Sequence, residues 1–155
     1  MLDWLKSLFA APEPAGPPQT ISKFGPSDTS IIQSGVTADE GGWRIQFQDK
    51  QTVRLFEVDL SDVEQCTLTY RAQIKTADMQ KQAYLEMWCR VPGRGEFFSR
   101  GLHQPLKGTT DWASYEIPFY LKREQRADLI KLNVVAEGAG TLWIRNIELL
   151  QTPLK

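Results

Sequence analysis

The chain has 155 residues, 41% hydrophobic and 24% charged, with 18 Lys and Arg against 19 Asp and Glu. Such a chain folds as about one domain, buries roughly two thirds of its unfolded surface without disulfide staples, and is not disordered throughout. A net charge of −1 lacks the basic excess of a phosphate-neutralising surface, so nucleic acid is not an expected partner. No apolar run approaches the ~20 residues of a membrane span.

In chain order, Met1 to Ala11 reads as a short amphipathic helix, with Leu2, Leu5, Leu8 and Phe9 along one stripe and Trp4 at its flank. A helix this short is unstable alone in water. Its stripe docks on a partner protein or a membrane surface, packs on its own domain, or belongs to a disordered tail. Asp3 is the first charge, which argues against a secretory signal, whose start is basic. Pro12, Pro14, Pro17 and Pro18 around Gly16 then form an extended linker, because proline fixes φ and removes donors. Residues 1–20 are read as this segment and linker, and residues 21–155 as the folded domain. Setting aside Asp3, Lys6 and Glu13 leaves that domain with equal numbers of acidic and basic residues, so it neither attracts nor repels polyanions strongly.

From Trp43 onward the hydrophobic period is two. Ile45 and Phe47 open the series, and the parity change between Leu55 and Phe56 predicts a bulge. Asp59 to Val63 reads as one helical turn. Leu68 to Ile74, Leu85 to Val91, Tyr115 to Phe119, Ile130 to Ala136 and Leu142 to Leu149 complete the pattern, with Pro118 predicting an edge or a bulge. Turns are expected at Pro92–Gly95, Gly108–Asp111 and Glu137–Gly140. Seven or eight strands with no long helical window give an all-β fold, an antiparallel two-sheet β-sandwich preceded by the short helix and the Pro-rich linker.

Chemistry-bearing residues are sparse. Cys66, Cys89 and His103 are fewer than the four ligands of a structural zinc site, and the thiols are expected buried and reduced. No G-x-S-x-G, H-E-x-x-H or P-loop occurs, so neither an enzyme nor a resident cofactor is expected. Arg94 to Gly101 holds two arginines and two glycines, yet lacks the strand-to-helix context of a phosphate loop. It reads as a turn and a strand, with one of Phe97 and Phe98 packed inward and the other meeting a loop or partner.

Two stretches carry a resemblance. Gly108-Thr109-Thr110-Asp111-Trp112 with Tyr115-Glu116-Ile117-Pro118-Phe119, and Gly138 to Leu149, resemble a loop and strand and the last strand of carbohydrate-binding-module-like, galactose-binding-like jelly rolls. The resemblance spans roughly residues 24–150. It implies two stacked antiparallel sheets and a binding module for sugars, small ligands or proteins, with a ligand held on a concave outer face or in the loops. It also implies a calcium ion near an Asp of the last strand. Arg145 stands at that place before Asn146, and a guanidinium cannot ligate a cation, so no metal is expected.

Within this frame the strand from Tyr84 to Val91 is the most informative. Leu85, Met87, Cys89 and Val91 face the core, leaving Tyr84, Glu86, Trp88 and Arg90 outward. A tryptophan on a polar sheet face offers a stacking plate, and amide and charged neighbours take sugar hydroxyls. By the same alternation Arg71 and Gln73 of the preceding strand are expected beside it, and Lys131 and Asn133 too if their strand shares the sheet. The ligand site is therefore read as Trp88, Arg71, Gln73, Glu86, Arg90 and Tyr84. The blander reading has Trp88 covered by the linker, the Gly93–His103 segment or the N-terminal helix, and the charges as cross-strand ion pairs. Trp43, Trp112 and Trp143 are read as structural.

The expected function is a non-catalytic binding module for a carbohydrate or similar polar ligand, or for a protein partner. The alternative is a cytoplasmic scaffold or assembly subunit, held to a complex or peripherally to a membrane through Leu2, Trp4, Leu5, Leu8 and Phe9.

Overall fold

A computed structural model describes residues 12–155; the expected helix at 1–11 and its docking residues lie outside the described part. Among the described residues there are nine strands and no helix: β1 Gln19–Phe24, β2 Val36–Asp39, β3 Gly42–Phe47, β4 Gln51–Val63, β5 Cys66–Val91, β6 Gly95–Arg100, β7 Leu106–Leu121, β8 Ala127–Ala136 and β9 Gly140–Pro153. All pairings are antiparallel. The expected all-β character holds, with one curled sheet supplying both layers.

β5 explains the curl. What reads as two strands is one strand of 26 residues. Its first part, Cys66–Ala77, pairs with β9 on one side and, up to Ile74, in unbroken register with β7 on the other. Its last part pairs with β8 over Ala83–Arg90 and with β6 over Glu86–Val91. Between them the β5–β7 register shifts repeatedly and Asp78 takes a φ of 54°. Buried positions change parity there: Cys66, Leu68, Tyr70, Ala72 and Ile74 before the bend, Ala83, Leu85, Met87, Cys89 and Val91 after it. One layer is thus β2-β3-β9-β5-β7, with β1 also on β9; the other is β6-β5-β8-β4. They meet through apolar contacts such as Phe24 stacked on Phe56 at 4.0 Å and Trp43 edge-on to Phe56 at 5.3 Å. This apolar interior is the main source of stability.

Local expectations fare unevenly. The β4 bulge lies between Arg54 and Phe56, as the parity change requires. Asp59–Val63 is not a helical turn but the irregular end of β4, with Asp62 at a φ of 54°. Gly108–Asp111 is not a turn either; it runs inside β7, where Gly108 at a φ of 70° lets the strand follow the bend of β5. The proline stretch is tied to the last residues of the chain: the Ala15 amide donates to the Pro153 carbonyl at 2.7 Å, the Lys155 amide donates to the Glu13 carbonyl at 3.0 Å, and Pro14 bridges Leu154.

Candidate functional site

The outward side of β6-β5-β8-β4 follows from the register. Trp88 lies between Phe98 of β6 and Lys131 of β8; Glu86 lies between Arg100 and Asn133; Arg54 of β4 is opposite Asn133. These positions line an open cleft of about 340 Å³ formed by Thr52, Arg54, Glu86, Trp88, Glu96, Arg100, Lys131 and Asn133.

Glu86 organises its floor. Though ionisable, it is only 4% exposed. Its Oε1 accepts from the Trp88 Nε1 at 2.9 Å and the Asn133 Nδ2 at 2.9 Å, and its Oε2 accepts from the Arg100 Nε at 2.7 Å. Burial pushes the Glu86 carboxyl up, but donation by Asn133, Arg100 and Trp88 and the Arg100 charge outweigh it and hold the pKa below its ordinary 4.5. The indole N–H is therefore anchored and the plane of Trp88 fixed. The Trp88 ring is half-buried, tilted against Phe98 at 5.2 Å, while the Arg100 guanidinium lies 4.1 Å from the Phe98 ring centre. Lys131 pairs with Glu96 at 2.7 Å, which lowers the Glu96 pKa. Arg54 reaches the Asn133 Oδ1 and the Glu57 Oε1 only at 3.5 Å each, the outer limit of a hydrogen bond, so its guanidinium has donors to spare.

Of the sequence-read site residues, Trp88 and Glu86 share this cleft and Arg71 and Gln73 do not. Arg71 and Gln73 precede the β5 bend, so they face outward on the opposite layer. There Arg71 donates to Glu148 at 2.8 Å, and Gln73 accepts from Arg145 and Asn146 at 2.9 and 2.8 Å. The expectation failed because β5 continues into the other layer instead of turning back as a hairpin. Arg90 sits at the margin in a two-pronged pair with Asp128 at 2.8 and 3.1 Å. Tyr84 is 8% exposed, and burial raises the pKa of its hydroxyl. Arg54, Thr52, Glu96, Phe98 and Arg100 were missed. Alternation carried through the Pro92–Gly95 turn points at Glu96, Phe98 and Arg100, but only the β4–β8 register delivers Thr52 and Arg54. Phe97 and Phe98 are 45% and 50% exposed; neither is packed fully inward.

The outer face of the other layer has its own aromatic order. Trp43 is in the core at 3% exposure, but Trp112 and Trp143 are only half-buried. The Lys75 Nζ lies 4.7 Å from the Trp143 ring centre and 5.5 Å from that of Trp112, and the Trp143 Nε1 donates to Asp39 at 3.0 Å. Arg145 lies 3.9 Å over Trp112 with its Nε committed to Gln73. This cation, stacked on an indole, does not fit a calcium ion at the place the resemblance implies. Among the described residues, no three His, Cys, Asp or Glu side chains gather as a metal site. Both thiols are buried, and desolvation pushes Cys66 up to about 11 and Cys89 up to about 12, so neither is a nucleophile at neutral pH.

No protein-family model matches the chain, and no curated protein sequence does. Solved structures share its fold. A structure described as "CBM4 structure and function" superposes with a TM-score of 0.55 at 13% identity, over 81% of each chain. The CBM22-1 xylan-binding domain from Paenibacillus barcinonensis Xyn10C superposes with a TM-score of 0.53 at 6% identity, over 94% of this chain and all of that one. A cyclase from Fischerella sp. TAU gives a TM-score of 0.52 at 13% identity, over 83% and 74%. One fold thus serves proteins with different names, and only the site can indicate a function. In fold, the chain is similar to the jelly rolls of carbohydrate-binding modules.

Proposed function

We propose that the chain is a non-catalytic binding module that takes a carbohydrate or similar polar ligand in the cleft on the outer face of β6-β5-β8-β4. The observation that carries this reading is the half-buried Trp88 indole, locked by its N–H to the buried Glu86 carboxylate in a cleft lined by Arg54, Lys131, Asn133 and Thr52. An indole held in one plane offers a flat apolar plate to the C–H face of a sugar ring without losing rotamer freedom on binding. Spare donors on Arg54 and groups on Lys131 and Thr52 take the hydroxyls. The shared fold with the CBM4 structure and the CBM22-1 xylan-binding domain adds weight.

Two carboxylates line the cleft, as glycoside cleavage would need. Each is occupied: Glu86 by three donors and Glu96 by Lys131. Neither is poised as a general acid, because both pKa values lie below the ordinary one. That favours holding a ligand over cutting it.

The test is titration with a panel of neutral and acidic oligosaccharides, followed by tryptophan fluorescence and calorimetry. At least one is expected to bind, with the response lost in Trp88→Ala and kept in Arg71→Ala and Gln73→Ala. A folded wild-type protein silent across the panel, or one whose binding survives Trp88→Ala, overturns the reading.

A further inference from the structure

We infer that β6 is a self-association edge: two copies pair antiparallel through Gly95–Arg100, centred on Phe98, and join their β6-β5-β8-β4 layers into one sheet. The large hydrophobic residues left exposed among the described residues are Ile31, Phe97, Phe98, Leu102 and Tyr120. Three of these five fall on β6 or just after it, at 45%, 50% and 55% exposure for Phe97, Phe98 and Leu102. Among the described residues β6 has one strand partner, β5, so its other side presents unpaired backbone between two phenylalanines on opposite faces.

Proteins normally blunt such edges with cover, proline, charge or brevity. The other edges here follow that rule. Ile31 and Ile32 donate their amides to the Leu55 and Arg54 carbonyls of β4 at 2.9 and 3.0 Å. β2 has only four residues, β7 carries Pro118, and β1 is mostly polar, with Lys23. β7 also exposes an aromatic ring, Tyr120, but two residues from Pro118; β6 combines a proline-free edge with two adjacent exposed rings.

Charge pattern selects a second copy as the occupant. An antiparallel pair centred on Phe98 sets Glu96 of each copy opposite Arg100 of the other, twice over by symmetry. Moving the centre by one residue sets Glu96 opposite Phe98 and leaves both charges unmatched. Glu96, Phe98 and Arg100 are the residues opposite Arg90, Trp88 and Glu86, so the new charge pairs extend the Lys131–Glu96 and Glu86–Arg100 pairs already present. The two Trp88 rings would then stand three strand spacings apart, roughly 14 Å, on one continuous face.

Sedimentation of the full chain over a wide concentration range tests this without any ligand. The mass is expected to rise from 17.6 kDa toward twice that value, and Phe97→Lys, an exposed change, is expected to remain at 17.6 kDa with an unchanged circular dichroism spectrum. Phe98→Cys is expected to form a disulfide-linked dimer on oxidation, because facing α-carbons of antiparallel strands are within disulfide reach; Leu102→Cys is expected not to. A wild-type monomer at every concentration, a Phe97→Lys dimer, or equal cross-linking at both positions overturns the inference. So does a dimer that appears only after removal of residues 1–11, or a different protein found bound at β6.

Discussion

Replacing Glu86 by glutamine changes one oxygen to an amide group inside a buried polar cluster. The best placement keeps the carbonyl oxygen where Trp88 and Asn133 donate and turns the new N–H₂ toward Arg100, donor against donor. What is lost is the 2.7 Å charge-assisted bond from Arg100. Bonds to charged groups contribute about 1.5–3 kcal/mol, and the Arg100 side chain is 34% exposed, so water recovers part of the loss. A destabilisation of about 1.5–2 kcal/mol follows, or roughly 3–8 °C in melting temperature for a chain of this size. Glu86→Ala would do more, about 3–5 kcal/mol, because Asn133, at 1% exposure, and the Trp88 N–H lose their acceptor. The pH dependence has a definite sign. The folded pKa of Glu86 lies below 4.5, so its contribution is full above 4.5 and is lost as pH falls through the lower folded value. Denaturant unfolding at neutral and at acid pH should show the gap between wild type and Glu86→Gln closing on acidification. Equal stability at neutral pH, or a gap that stays constant with pH, would refute the assignment of Glu86 as an ionised anchor.

Other expectations follow from single groups. The Tyr70 hydroxyl is fully buried and has no hydrogen-bond partner, so Tyr70→Phe should stabilise by about 1 kcal/mol in the same unfolding assay, since an unsatisfied buried hydroxyl costs about 1–3 kcal/mol; a loss of stability would mean the hydroxyl is satisfied. A side chain on Gly42 would collide with the Ile144 carbonyl and Arg145, so Gly42→Ala should lower stability by about 1–3 kcal/mol, visible as an earlier thermal transition. Cys66 and Cys89 should resist a thiol reagent at neutral pH and react only on unfolding, since both are buried with raised pKa values. Rapid labelling of the native protein would contradict that placement.

Period-two alternation determined most of the strands, their inward residues and the outward direction of Glu86 and Trp88, because a half-buried strand must segregate its two faces. A parity change also located the β4 bulge. What alternation cannot encode is which strands become neighbours. The composition of Arg71–Lys75 and Glu86–Arg90 fits equally well with two strands of a hairpin or one strand crossing between layers. The bend at Ala77–Gln82 decides that, and so removes Arg71 and Gln73 from the Trp88 face. Arg54 joins it only through the long-range pairing of β4 with β8, 79 residues away from Asn133 in sequence. Glu86 likewise acquires its anchoring role from two strands that both follow it in the chain and flank it in space: the burial and the three donors that keep it ionised exist only once β6, β5 and β8 lie side by side.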